Sequence, residues 1–281
     1  MSRLKVRNGI RLTSSYVVLT ILAISAIYPA LWIVLGAFRP GKSLYSKTLF
    51  PEKFTLDHFS ELFTSNQIMF PQWYMNTLKV SLASMILGVL LTLLTSYALS
   101  RFRFRGRQNA LSVLLILGMF PGFMSMIAIF LLFKEWGLLD THIALILVYA
   151  AGAPLGLTLI TKGFFDTIPR SLDEAARIDG ASNFKIFSSI ILPLSRPILT
   201  YLALLQFVGP WVDFIFARLI LRSKPKWTVA VGMWDMVANS QNTNFTVFAA
   251  GAVLIAVPIT ILFMFMQRLL VEGLTSGASK G

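Results

Sequence analysis

Residues 174–193 read EAARIDGASNFKIFSSIILP. This segment carries charges of both signs, has helical character and lies between long apolar runs. A polar segment in this setting indicates a loop outside the membrane that joins two membrane spans. The positions that give the segment its pattern are Glu174, Ala175, Ala176, Gly180, Ile190, Leu192 and Pro193.

The composition of the whole chain is that of a membrane protein. The 281 residues are 56% hydrophobic and only 13% charged, with a mean hydropathy of +0.72. A soluble domain carries about a quarter charged residues. Apolar runs of about 20 residues, enough to cross roughly 30 Å of hydrocarbon, recur along the chain. We therefore predict an all-α, polytopic membrane protein that forms one compact bundle.

The apolar runs predict six transmembrane helices and an orientation. The spans are expected near residues 14–38, 76–100, 109–133, 141–162, 197–217 and 246–268. The loop RFRFRGR at 101–107 holds four arginines and resists translocation, so it is expected in the cytoplasm. The domain 14–268 would then have a cytoplasmic N-terminus (1–13), a cytoplasmic tail (269–281), an inner loop at about 167–193 and an external loop at about 218–245.

Charge and residue usage exclude several other classes of function. The net charge of +13 fits basic cytoplasmic loops, so we expect no nucleic-acid binding. The chain has two histidines, no cysteine and no acidic cluster at metal-ligand spacing, so we expect neither a catalytic site nor a metal. It also lacks the phosphate-binding pattern Gly-x-x-x-x-Gly-Lys, so any ATP hydrolysis must occur on another chain.

Proline and glycine interrupt most predicted spans, at Pro29, Pro121-Gly122, Pro154, Pro210 and Pro258. Such breaks either bend a gate or are ordinary kinks of membrane helices. The small residues Gly152 and Gly156 favour either helix packing within the chain or a subunit interface. Polar residues of span two line a path or pack helices: Ser81, Ser84, Thr92 and Ser96.

The inner loop is predicted to be two helices joined by a turn. The first covers about Pro169 to Asp179, because proline suits a first helical turn and acidic residues favour the positive end of a helix. Gly180 suits the turn. The second helix is expected to end at about Leu192, since Pro193 disfavours a helical residue before it.

The spacing of these positions resembles the EAA loop of the membrane subunits of bacterial ABC importers. The likeness covers most of the chain and is greatest to the six-span permease subunit of maltose/maltodextrin-type importers. Trp211 and Asp213, in the pattern Trp-x-Asp-Phe, and the tail 273–281 (GLTSGASKG) extend it. The resemblance implies the type I ABC importer permease fold, with cytoplasmic EAA coupling helices, in a bacterial inner or plasma membrane.

The resemblance also implies partners and roles. These are a second permease subunit, two ATP-binding cassette ATPase subunits, an extracytoplasmic sugar-binding protein, an oligosaccharide substrate and membrane lipid. ATP and Mg would be used by the ATPase, and this chain would bind no cofactor. Glu174 would meet a polar or basic partner, Gly180 would form the turn, and Ile190 and Leu192 would anchor the second helix.

Two further features remain open at this stage. The external loop is rich in aromatic and amide side chains that suit sugars and a binding protein, or it forms an interfacial belt and a solvated loop: Trp227, Trp234, Asn239, Gln241, Asn242 and Asn244. Asp213 is expected to pair with a group such as Arg218, or across a subunit interface, rather than to contact sugar.

Two alternatives to a maltodextrin importer are considered. One is an ABC importer for another sugar, such as galacto- or raffinose-type oligosaccharides or glycerol phosphate. The other is an ion-coupled secondary transporter, which would normally carry ionisable residues at the centre of the membrane. No carboxylate lies near the centre of a predicted span, which disfavours the second alternative.

Overall fold

The computed structural model describes residues 2–45, 47–238 and 243–278, with side chains between 12 and 268. The described residues form helices and no strand. The helices are α1 (Ser2–Ala37), α2 (Asp57–Thr64), α3 (Phe70–Arg101), α4 (Arg107–Met119), α5 (Gly122–Glu135), α6 (His142–Thr167), α7 (Arg170–Ile178), α8 (Asn183–Leu194), α9 (Arg196–Val212), α10 (Ile215–Ile220), α11 (Val229–Ala238) and α12 (Phe245–Ala278). A 3₁₀ turn covers Lys224–Lys226.

The chain divides into two compact units. The first unit contains Met1–Ile68 and Asp235–Ala256, and the second contains Met69–Trp234 and Val257–Gly281. In the first unit, the buried guanidinium of Arg39 donates hydrogen bonds to three backbone carbonyls of the segment 44–49. His58 Nε2 lies 2.8 Å from the carbonyl oxygen of Arg39, and the Thr246 hydroxyl donates to the carbonyl of Gly41. These hydrogen bonds hold the backbone of the segment that follows α1.

The second unit is built around α3, which packs against α6 and α9. The helices approach closely at Gly88, where an added Cβ would lie 3.1 Å from the Cβ of Ala153. The polar residues of α3 are buried in this packing: Ser81, Ser84, Thr92 and Ser96. Thr92 bonds to a carbonyl of its own helix, and Ser96 bonds to the carbonyl of Thr158 on α6. Their positions favour helix packing over an exposed path.

Among the residues that the structure describes, four helices are long and apolar enough to cross a membrane, and the number rises to six if each of two bent pairs is one span. The predicted third span is not a straight helix, because α4 and α5 meet at 96°. Pro121 accounts for the bend between α4 and α5. Proline cannot donate a helical hydrogen bond, and it holds the preceding residue Phe120 in an extended conformation, with ψ of 129°. By contrast, four other prolines lie inside continuous helices: Pro29, Pro154, Pro210 and Pro258.

The predicted fifth span is shorter than expected. Its helix, α9, ends at Val212 because Asp213 takes an extended conformation, and α10 then begins at Ile215. At its other end α9 turns by 82° from α8. The small-residue positions Gly152 and Gly156 have no described atom within 4 Å of an added Cβ. Tight packing inside this chain therefore does not account for them.

Candidate functional site: the coupling loop and the external segment

The predicted coupling loop, residues 169–194, is named the coupling loop below, and it begins with α7. Pro169 stands directly before the helix with ψ of 131°, so it is the flanking residue rather than part of the first turn as predicted. Asp173 lies in the first turn, where a carboxylate is favoured by the helix dipole. Its neighbour Glu174 is exposed, whereas Asp173 is only 3% exposed. The two adjacent acids therefore point into different environments.

A buried ion pair fixes α7 to the end of α3. Arg101 Nε lies 3.1 Å from Asp173 Oδ2, and the two side chains are 2% and 4% exposed. Arg101 also donates from Nη2 to the carbonyl of Ile168 at 3.0 Å. Removing one partner of such a pair strands a charge in the interior and typically costs about 3–5 kcal/mol. The pair thus holds the loop in one position against the helix bundle.

Gly180 forms the turn that the sequence predicts. Its φ is +81°, a conformation that residues with a Cβ adopt only at a cost. The N–H of Gly180 donates to the carbonyl of Arg177 and that of Ala181 to the carbonyl of Ala176. These two bonds are a Schellman motif, which ends α7. The Ser182 hydroxyl then accepts a hydrogen bond from the N–H of Lys185 and so begins α8.

The second helix continues past the predicted end at Leu192. It runs to Leu194, and Leu192 has ordinary helical angles although a proline follows it. The turn Phe187–Ile191 is a wider π turn, in which the N–H of Leu192 donates to the carbonyl of Phe187. This wider turn explains why the helix continues past Leu192. In a regular α-helix the ring of Pro193 would clash with the carbonyl of the residue four positions before it.

The anchor of α8 is mostly formed by residues that the sequence pattern did not single out. Ile186 and Ile191 are fully buried, and the ring of Phe187 lies 4.8 Å from that of Tyr97 on α3. Leu192 packs against this cluster, whereas Ile190 is half-buried and is not part of it. The helical spacing of Ile186, Phe187 and Ile191 could have predicted this buried face. The family signature instead pointed to the neighbouring residues Ile190 and Leu192.

The outer face of the coupling loop exposes apolar side chains. Ile178 is 87% exposed and Phe184 is 77% exposed, on either side of the Gly180 turn. Glu174, Ala175 and Pro193 are exposed as well, and Ala176 is half-buried. A crevice of about 250 Å³ is lined by charged residues of α7 and of the segment that ends α3, namely Arg101, Arg103, Arg170, Asp173, Glu174 and Arg177. Large exposed apolar side chains such as Ile178 and Phe184 suit a protein-docking surface.

The segment that the sequence predicts to be external, named the external segment below, is bound through residues 222–229 to the opposite end of α3. Trp73 Nε1 donates to the carbonyl of Lys224 at 2.9 Å, and Asn76 Nδ2 donates to the carbonyls of Pro225 and Trp227. The N–H of Val229 donates to the buried hydroxyl of Thr77 at 2.8 Å. Beyond these bonds the chain forms the apolar helix α11, so the predicted loop is partly helical.

Asp140 fixes the same segment from the α5–α6 connection. Its carboxylate accepts hydrogen bonds from the N–H groups of Arg222 and Ser223 and from the Ser223 hydroxyl, and Lys226 Nζ lies 3.2 Å away. Burial alone would raise the pKa of Asp140, but the bonds from Ser223, Arg222 and Lys226 outweigh it and hold the pKa well below the usual range. The carboxylate of Asp140 is therefore ionised in the folded protein at neutral pH.

The predicted sugar-facing residues occupy different environments. Trp227 is only 7% exposed. Its indole lies 5.9 Å from the ring of Trp73 and beneath the guanidinium of Arg218, so the prediction that it faces a sugar or a binding protein is corrected. Trp234 is 54% exposed. Asn244 accepts a hydrogen bond from the N–H of Val247 at the start of α12. Three predicted residues lie outside the described part of the chain: Asn239, Gln241 and Asn242.

Asp213 pairs with a residue that the sequence did not suggest. The Tyr149 hydroxyl donates to Asp213 Oδ2 at 2.5 Å, and the N–H of Phe216 donates to Oδ1 at 3.1 Å. Arg218 stacks on Trp227 instead. Tyr149 and Asp213 also line a cavity of about 820 Å³, whose other walls come from α4, α5 and α6. Trp211 of the same motif is 2% exposed and meets the edge of Tyr74.

Three comparisons with known proteins place the chain. Residues 84–276 match the model of the family described as binding-protein-dependent transport system inner membrane component. The chain is 42% identical over 282 residues to the galactooligosaccharides transport system permease protein GanQ of Bacillus subtilis, covering 100% of both chains. It is 42% identical to the maltodextrin permease MdxG of the same organism, covering 95% of both, and 37% identical to the maltose/maltodextrin permease MalG of Escherichia coli, covering 96% of both.

The solved structures agree on the fold. A bacterial ABC transporter involved in the import of the acidic polysaccharide alginate has a TM-score of 0.81 at 23% identity, covering 93% of this chain and 97% of that one. The predicted all-α ABC importer permease fold is thereby confirmed. Among the described residues, no group of three or more His, Cys, Asp or Glu could hold a metal. The chain belongs to the family of binding-protein-dependent transport system inner membrane components, which are membrane-spanning permeases and not enzymes.

Proposed function

We propose that this chain is the permease subunit of an ATP-driven importer for a neutral oligosaccharide, with maltodextrin and galacto-oligosaccharide as the two candidate substrates. The observation that carries the proposal is the coupling loop, in which a glycine turn with positive φ joins two helices that are fixed to α3 on one side and expose apolar side chains on the other. The full-length similarity to permeases named for both sugars supports the two substrate classes.

The coupling loop is the proposed docking surface for an ATP-binding cassette ATPase. Glu174 would face a basic group of the ATPase, and Ile178 and Phe184 would fill an apolar cleft. These three side chains are exposed, whereas buried residues of the loop such as Asp173 and Ile191 anchor it. ATP and Mg would act on that partner, and this chain would hold neither. Two ATPase subunits and a second permease complete the proposed assembly, since six spans do not enclose a path alone.

The external segment is the proposed contact with a sugar-binding protein outside the membrane. Trp234 is its best described candidate because this indole is more than half exposed. Trp227 is left out of the proposed contact because it is buried. With the arginine-rich loop 101–107 inside the cell, the coupling loop would lie in the cytoplasm together with both termini, and the segment 222–245 would lie outside.

Purification of the chain from its native membrane with its partners tests this function. An ATPase, a second permease and a binding protein are expected to co-purify, and the complex in liposomes is expected to take up labelled maltotriose or a labelled galactotriose only with ATP. Uptake of one sugar and not the other decides between the two candidates. Ion-driven uptake by the chain alone would contradict the proposal and support a secondary transporter.

A further inference from the structure

We propose that α3 is the element through which the coupling loop and the external segment act on each other across the membrane. The inference rests on the proposed function and adds a route to it. Motion imposed on the coupling loop by an ATPase would reach segment 222–229 through α3, and contact of the binding protein with the external segment would reach the ATPase by the same helix.

The inner end of α3 is bonded to both helices of the coupling loop. Arg101 forms the buried ion pair with Asp173 of α7, and Arg170 Nη2 donates to the carbonyl of Ser100 at 3.1 Å. The hydroxyl of Tyr97 donates to the carbonyl of Asn183, at the start of α8. Displacement of either half of the loop therefore pulls on the last turns of α3.

The outer end of α3 is bonded to the external segment with similar density. Trp73 and Asn76 together donate hydrogen bonds to three backbone carbonyls, those of Lys224, Pro225 and Trp227. The Thr77 hydroxyl accepts a hydrogen bond from the N–H of Val229. Asn76 is 5% exposed and Thr77 is fully buried, so these bonds are not exchanged with water. Breaking one would leave a buried polar group unsatisfied, at a typical cost of about 1–3 kcal/mol.

The helix between these two ends is suited to transmit motion. Residues 77 to 97 span about 30 Å, close to the thickness of the hydrocarbon core. Beyond its first turn α3 contains no proline, whereas proline occurs inside or between the other predicted spans at positions 29, 121, 154, 210 and 258. Proline removes a helical hydrogen bond and allows bending, so α3 lacks, beyond its first turn, a source of bending that the other predicted spans have.

If α3 connects the two attachments, weakening either one should change the same measurable quantity. That quantity is the stimulation ratio, the rate of ATP hydrolysis with sugar-loaded binding protein divided by the rate without it. The inner attachment is weakened by Arg101→Gln with Asp173→Asn, which removes the ion pair, neutralises both charges together and leaves no stranded ion. The outer attachment is weakened by Asn76→Leu, which keeps the number and branching of the side-chain heavy atoms and deletes the two hydrogen bonds that Asn76 donates, to the carbonyls of Pro225 and Trp227.

The experiment uses the whole complex reconstituted in lipid. The inner double variant and Asn76→Leu are each expected to lower the stimulation ratio about fivefold or more, while the ATPase still co-purifies. The variant that combines all three substitutions is expected to lose less than the product of the two separate losses, because both changes weaken one connection. Ser84→Ala, which removes a hydrogen bond to the carbonyl of Val80 within the same helix, is the matched control and is expected to keep the ratio.

An unchanged ratio in either variant, or losses that multiply in the combined variant, would overturn the inference. Should Asn76→Leu fail to assemble, Trp73→Phe deletes the single bond to Lys224 while keeping an aromatic ring, and an unchanged ratio there overturns it equally. A wild-type complex without ATPase would instead refute the proposed function. The two failures are therefore distinguishable.

Discussion

The hydroxyl of Tyr149 on α6 donates a hydrogen bond to the carboxylate of Asp213, which lies between α9 and α10. Asp213 was the acid of the Trp-x-Asp-Phe pattern for which the sequence offered Arg218 or a subunit interface as partner. The structure shows that the acid joins two membrane helices and also accepts the N–H of Phe216 at the start of α10. The hydrogen bonds of Asp213 therefore have a structural role. The residue also lines a cavity of about 820 Å³.

This pairing predicts a graded response to substitution of Asp213. Asp213→Asn keeps an acceptor for Phe216 and a group that can bond to Tyr149, whereas Asp213→Ala strands both partners. We expect Asp213→Ala to lower stability by about 1–3 kcal/mol and Asp213→Asn by clearly less. Thermal unfolding of the purified protein in detergent measures the difference. Equal melting temperatures for the two variants would argue against the bonding pattern.

The Gly180 turn predicts a dependence on backbone conformation. Gly180→Val places a β-branched residue at φ +81° and is expected to abolish uptake, whereas Gly180→Asn is expected to retain much of it because asparagine tolerates this region. An added Cβ meets no described atom within 4 Å, so a steric clash is not the cause. Sugar uptake normalised to membrane-inserted protein gives the comparison. A fully active valine variant would refute the role of the turn.

The exposed apolar side chains of the coupling loop predict where an ATPase binds. Ile178→Glu and Phe184→Glu are expected to reduce the ATPase that co-purifies by about tenfold each, since each places a charge in a desolvated contact. Phe104→Glu changes an exposed aromatic residue outside the loop and serves as control. Quantitative mass spectrometry of the purified complex is the measurement. Loss of ATPase in the control alone would place the docking surface elsewhere.

The environment of Asp140 predicts a pH dependence of stability. Its pKa is lowered in the folded protein, so its stabilising effect is present above the unfolded pKa of about 4 and is lost as the pH falls towards the lower folded value. The melting temperature of the wild type should exceed that of Asp140→Asn at pH 7, and the gap should narrow below about pH 4. Melting curves between pH 7 and pH 3 test this. A gap that widens on acidification would have the wrong sign.

The two external tryptophans predict opposite phenotypes. Trp227→Ala is expected to destabilise the protein by about 3–5 kcal/mol, because it removes a buried indole from beneath Arg218 and beside Trp73. Trp234→Ala should lower the melting temperature much less, because this indole is 54% exposed although it packs 4.8 Å from the ring of Phe214, and it should weaken association with the binding protein. Titration of the complex with that protein, together with thermal unfolding, separates the two effects. A stability loss at Trp234 comparable to that at Trp227 would contradict the assignment.

Residue pattern alone determined much of the fold. Apolar runs of about 20 residues leave few ways to satisfy the backbone in lipid other than helices, so the class and the approximate spans follow from composition and length. Gly180 was predictable for a similar reason, because a glycine between two helical stretches has a local conformational role that needs no distant partner. The bend at Pro121 also follows from local chemistry.

Pairings between distant positions were decided only by the tertiary structure. Nothing in the sequence distinguishes the buried Asp173 from the exposed Glu174 beside it, because the difference depends on which side of α7 meets Arg101 of α3. The same holds for Trp227 and Trp234, of which one is covered by Arg218 and the other is exposed. Periodicity fixes which residues share a helix face, but the partner of that face is set by packing between elements far apart in the chain.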